Sequence, residues 1–138
     1  DLARNQGIQF PLVELATQCE MLRLLIRKTA WEMDQMSKPE VAIRLSDKVS
    51  MCNYYANRLC CEAADRAMQV HGGVGYMRDF NVERHFRDAR ITTIYEGTSQ
   101  LQVLTALRGI LGGTLEKQYD ELTGSYAGAL SSLQKKDS

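Results

Sequence analysis

Net charge is the first thing missing: seventeen basic and seventeen acidic residues cancel. Without a cationic excess there is no electrostatic footprint for nucleic acid or for an anionic membrane surface. No apolar run is long enough to span a bilayer, and no signal-peptide pattern opens the N-terminus. Histidine occurs twice, as His71 and His85, and the four cysteines (Cys19, Cys52, Cys60 and Cys61) form no C-x-x-C pair. That leaves no metal-ligand spacing, so no metal site is expected. All the cysteines fall in helical patterns, with adjacent Cys60 and Cys61 pointing to different faces, and they read as half-buried thiols of a reducing compartment. Strand-type alternation and internal repeats are also absent. The 138 residues suffice for one domain with a hydrophobic core, and a start at Asp1 instead of methionine suggests a piece of something longer.

Apolar residues recur at helical spacing. Ile8, Leu12, Leu15, Cys19, Leu22, Ile26, Ala30 and Met33 form one stripe, and Phe10, Val13, Met21, Leu24 and Trp31 a second that should widen the buried face. Together they predict a long helix over about residues 6–34, with Pro11 in its first turns, where proline is best tolerated. Ser37, Pro39 and Glu40 have capping-box spacing and restart the chain. Val41, Leu45, Val49, Cys52, Ala56, Leu59, Ala63, Ala67 and Val70 then predict a second long helix that ends at Gly72-Gly73.

A loop to about residue 80 precedes a shorter helix marked by Val82, Phe86 and Ala89. Its arginines, Arg84, Arg87 and Arg90, are expected to be held by carboxylates such as Glu83 and Asp88. Thr98 is the natural N-cap of a fourth helix marked by Leu101, Leu104, Leu107 and Leu111. The fold class is all-α: an antiparallel four-helix bundle over residues 1–111. A C-terminal helical extension of the same domain, residues 112–138, carries Leu115, Tyr119, Leu122, Tyr126, Leu130 and Leu133 at helical spacing.

Three runs carry chemistry: Gln69-Val70-His71-Gly72-Gly73-Val74-Gly75-Tyr76, Val82-Glu83-Arg84-His85-Phe86-Arg87-Asp88-Ala89-Arg90, and Ile94-Tyr95-Glu96-Gly97-Thr98-Ser99-Gln100. Each has a plain structural reading. A carboxylate ahead of a helix suits the free N–H groups and the helix dipole. Glycines after a helix make a turn, Thr98 is a cap, and Gln100 and Arg108 are solvated helix residues. A functional reading stands beside it. Glu96 between bulky Tyr95 and bare Gly97 can serve as an accessible base, and glycine lets backbone come close to a ligand.

In order and spacing these runs resemble the C-terminal helical domain of the flavin-dependent acyl-CoA dehydrogenases. The resemblance covers about residues 5–111 and begins at Gln6-Gly7-Ile8-Gln9-Phe10. It implies that Glu96 removes the proton alpha to an acyl-CoA thioester while a hydride leaves the beta carbon for FAD. It further implies that the Glu96 backbone N–H and a flavin hydroxyl stabilise the thioester oxygen as charge develops. Gln69, Gly72 and Gly73 are implied to approach the adenosine-diphosphate part of FAD bound by a neighbouring subunit, with His71 lining the same place. Thr98 and Gln100 are implied to lie near FAD, with Tyr95, Gly97 and Arg108 on the substrate side.

Family members have an N-terminal helical domain and a middle β domain before this one. The fragment is therefore expected to lack a complete flavin pocket and, alone, to be inactive. The resemblance implies a homotetramer, an electron-transfer flavoprotein as redox partner, and a cytoplasmic setting in bacteria or the mitochondrial matrix in eukaryotes. An acyl-CoA oxidase domain and a non-catalytic oligomerisation module are the alternatives; intact Glu96 and glycines favour an enzyme domain over the module, and only oxygen reactivity separates an oxidase from a dehydrogenase.

Overall fold

A computed structural model describes residues 2–113, 120, 123 and 124. Among them the chain is helical throughout its regular structure: α1 (Gln6–Asp34), α2 (Lys38–Arg44), α3 (Ser46–His71), α4 (Val82–Ile91) and α5 (Ser99–Leu111). Short 3-10 turns occupy Leu2–Arg4 and Gly72–Tyr76, the latter within the expected loop. The expected C-terminal helical extension lies almost wholly outside the described residues.

The central member is α3, which packs against α1, α4 and α5. All three run antiparallel to it. Along α1, Glu32 meets Lys48, Thr29 meets Cys52, and Pro11 shares a groove with Gln69. Along α5, Gly109 meets Asp47 while Ser99 shares a groove with Arg58. Along α4, Cys61 donates to the Ala89 carbonyl at 3.3 Å. The four-helix bundle read from the sequence is therefore present, with its second member broken in two.

That break corrects the expected single helix. Leu45, fully buried, leaves helical geometry (φ −123°, ψ 2°) between α2 and α3. Hydrogen bonds still pass through it, from Leu45 N to Val41 O and from Val49 N to Leu45 O, so the chain kinks without unravelling. The cause is local. Asp47 Oδ1 accepts from Lys48 N at 2.8 Å, a short-range bond that competes with regular helix. The restart at Ser37 is as expected: Glu40 accepts from the Ser37 backbone N–H at 2.9 Å and from its hydroxyl at 2.7 Å.

The buried face of α1 also differs from expectation. Its less exposed positions are Ile8, Pro11, Leu15, Gln18, Leu22, Leu25, Thr29 and Glu32, a strict three-four alternation facing α3. The stripe through Phe10, Val13, Met21, Leu24 and Trp31 does not widen the buried face: Leu24 is 65% exposed and Trp31 63%. Among the described residues α3 is the one long helix with substantial packing on α1, so α1 buries one seam there. A similar inversion holds in α5. The leucines that mark it stand outside, while Ala106 and Gly109 are half-buried and let α5 approach α3 closely. Fully buried apolar residues are few among those described: Leu45, Leu59, Ala64 and Ala89.

Candidate functional site

The turn between α4 and α5 is built from its own hydroxyls. Thr92 Oγ1 donates to Ala89 O at 2.7 Å, Thr93 Oγ1 to Arg90 O at 3.0 Å, and the Arg90 guanidinium to Thr93 Oγ1. Ser99 N reaches back to Thr93 O at 3.2 Å and closes the loop around Glu96. Thr98 caps α5 as read from the sequence, accepting from Leu101 N at 3.5 Å. The remaining α4 arginines are held as expected: Arg87 pairs with Glu83 at 2.9 Å and Arg84 with Asp88 at 3.5 Å.

At the tip of this turn Glu96 has φ +53°, the left-handed region, and is the only non-glycine residue there among those described. Side chains rarely adopt that conformation, because Cβ crowds the following carbonyl. Gly97 follows at φ +97°. The Glu96 carboxylate is exposed and, among the described residues, has no hydrogen-bonding or ion-pair partner; its backbone N–H also finds no acceptor there. An accessible carboxylate and an unused N–H thus stand on one residue, beside a glycine that leaves room for a ligand. Tyr95 is 51% exposed on the approach.

Gln100 lines a largely apolar groove of about 500 Å³ between α3 and α5 with Tyr54, Arg58, Ser99, Val103 and Leu104. Tyr54 and Arg58, which sequence reading did not single out, are bonded at 2.7 Å, with the guanidinium over the ring. Their spacing of four on a helix was the signal available. Gln102, also missed, donates from Nε2 to the Glu96 carbonyl at 3.1 Å. Arg108 stands exposed in the last turn of α5, about 13 Å along the helix axis from Ser99. The chain does not bring it to the Glu96 turn.

The second group lies elsewhere. Gln69, Gly72 and Gly73 sit where α3 ends, and with Asp65 and Met68 they line a hollow of about 290 Å³. Gly72 has φ +64° and ψ −151°, a combination open essentially to glycine alone. Around both glycines the space where a Cβ would stand is empty. Gln69 also lines a groove of about 250 Å³ against Gly7, Ile8 and Pro11 of α1. His71 is turned to structure: its Nδ1 lies 2.8 Å from Ala67 O, and its ring packs on Phe80. Because α5 starts beside Arg58, this hollow lies roughly 16 Å farther along α3 than the Glu96 end of the bundle. One chain therefore presents two separate faces. Among the described residues no cluster of histidine, cysteine, aspartate or glutamate could hold a metal ion, and no helix is long and apolar enough to cross a membrane.

Comparison with known proteins concerns the domain as a whole. Residues 1–111 match the family model of the acyl-CoA dehydrogenase C-terminal domain. An acyl-CoA dehydrogenase of Bacillus subtilis is 40% identical over 113 residues, covering 82% of this chain and 28% of the relative. The caffeyl-CoA reductase-Etf complex subunit CarC of Acetobacterium woodii is 37% identical over 117 residues, covering 85% and 28%. Among solved structures, the acyl-CoA dehydrogenase of Slackia heliotrinireducens superposes with a TM-score of 0.68 at 27% identity, covering 86% of this chain and 29% of that one. The chain thus spans less than a third of the length of these relatives.

Proposed function

Because this chain belongs to the acyl-CoA dehydrogenase family as its C-terminal domain, we propose that it supplies the base for alpha,beta-dehydrogenation of an acyl-CoA thioester. The base is Glu96. The observation that carries this reading is its left-handed backbone beside Gly97, which leaves the carboxylate exposed and without a partner among the described residues. Glu96 takes the proton from the alpha carbon, and the freed electron pair becomes the new double bond. Its backbone N–H, unused among the described residues, hydrogen-bonds the thioester oxygen as negative charge develops there. Gly97 lets the thioester approach, Tyr95 borders the acyl group, and Arg108 serves substrate held by the assembled protein.

FAD, when bound, accepts the hydride from the beta carbon. Two features of the chain fit it. The bare backbone of Gly72 and Gly73, beside Gln69, is an open concave edge for the adenosine portion. The N-terminus of α5, with Thr98 and Gln100, presents the positive end of a helix. Their separation along α3 supports a subunit arrangement in which Gln69, Gly72 and Gly73 serve a neighbour's FAD. The uncovered apolar faces of α1 support a homotetramer.

An electron-transfer flavoprotein is the redox partner in this reading, in keeping with the name of the Acetobacterium woodii relative. That name also favours a second direction, reduction of the double bond, in which Glu96 returns the proton to the alpha carbon. The setting is the bacterial cytoplasm or, in a eukaryote, the mitochondrial matrix. The test is Glu96→Gln in the full-length protein that carries this domain. It should keep FAD and acyl-CoA binding and lose nearly all dehydrogenation, since the amide retains size without accepting a proton. Near-normal turnover would sink the assignment.

A further inference from the structure

We infer that Gln102 is a positioning residue for Glu96, acting through the Glu96 backbone; this rests on the reading of Glu96 as the base. Glu96 holds a backbone conformation that side-chain-bearing residues avoid, so something must keep it there. Its own side chain makes no bond to any described residue and cannot do so. The Ser99 N to Thr93 O bond closes the loop around it, and the contact made to the Glu96 peptide itself comes from Gln102, whose Nε2 donates to the Glu96 carbonyl at 3.1 Å across six residues.

The donor is itself well fixed. Gln102 N bonds Thr98 O at 3.0 Å, so its backbone belongs to the first turn of α5, the turn capped by Thr98. Its side chain is half-buried, whereas Glu96 is exposed. Gly97 makes room for it: a Cβ there would stand 2.8 Å from the same Nε2. Glycine at 97 and glutamine at 102 therefore fit one another. Between them they fix the plane of the peptide that leaves Glu96, and with it the direction in which the carboxylate projects. Releasing the carbonyl lets residues 96 and 97 relax to ordinary backbone and swings the base off the alpha carbon.

The experiment compares Gln102→Glu and Gln102→Met in the FAD-loaded, full-length protein, with Glu96→Gln assayed beside them. Glutamate keeps the size but, ionised, has no donor; methionine keeps the length and the packing. Both variants should lose roughly 10- to 100-fold in kcat, as expected for a misaimed reacting group. KM and flavin per subunit should stay within about twofold, because neither variant removes a binding contact. The kinetic isotope effect with alpha-deuterated acyl-CoA should rise, because proton removal becomes slower than the other steps; a residue that only packs α5 would not move it. Wild-type kcat in Gln102→Met, with Glu96→Gln inactive, overturns this inference and leaves the base assignment standing. Turnover retained by Glu96→Gln overturns both.

Discussion

Asp47 of α3 lies with its carboxyl group over the bare Cα of Gly109 on α5, so close that a Cβ on residue 109 would stand 2.7 Å from the Asp47 Cγ. The Asp47 side chain is sealed in, at 1% exposure, with Oδ1 bonded to Lys48 N and Oδ2 without a partner among the described residues. Alanine normally favours a helix over glycine by about 1 kcal/mol. Here the sign reverses. Gly109→Ala should destabilise by about 1–3 kcal/mol, the range for overpacking, because Asp47 has no room to withdraw. Adding Asp47→Gly should recover part of the loss. Urea denaturation of the single and double variants measures both.

Gly72 and Gly73 are adjacent but held for different reasons. Gly72 needs its positive φ to end α3, whereas Gly73 does not have one and only borders the hollow. Gly72→Ala should therefore cost about 1–3 kcal/mol of stability. Gly73→Ala should leave the melting temperature nearly unchanged yet weaken flavin retention, since its Cβ projects where the adenosine portion is proposed to lie. Thermal melts and bound flavin per subunit separate the two effects.

The thiols should react in a defined order. Cys19 and Cys60 are exposed, while Cys61 is half-buried and donates to Ala89 O. Burial pushes the Cys61 thiol above its ordinary 9.0, neighbouring Cys60 adds to the rise, and Arg90 opposes it. The thiolate is the reactive form, so at pH 8 iodoacetamide should modify Cys19 and Cys60 well before Cys61, as read by peptide mass spectrometry. The linkage has one sign. Stability from this thiol is intact below pH 9.0 and is lost as pH rises through the raised value, because the unfolded chain ionises first.

The helices were legible because their signals are local: steps of three and four, the Ser37–Glu40 box, Thr98 ahead of α5. Facing was less so. Phe10, Leu24 and Trp31 look like core by hydrophobicity alone, but a helix with apolar residues all round does not say which side meets its own chain. The small residues Ala106 and Gly109 decide where α5 packs, and smallness carries little weight in a hydrophobic pattern. In the candidate site the contiguous run from Tyr95 to Gln100 was readable, but Gln102 was not. Its role depends on the sign of a backbone dihedral at Glu96, which composition and spacing do not encode.

The seam between α1 and α3 carries Gln18, Thr29 and Glu32 among its apolar residues, and Glu32 accepts from Lys48 Nζ at 2.6 Å. Hydrophobic contact alone would tolerate sliding one helix along the other by a heptad, since leucine would meet much the same surface. Such a slip would set Lys48, 7% exposed, against Leu25 and strand a cation among hydrocarbon. The ion pair thus works as a phase key: it adds little to cohesion and a great deal to uniqueness. Because α3 also bears α5 and, at its end, Gly72 and Gly73, fixing that one phase fixes where both faces of the candidate site stand relative to α1.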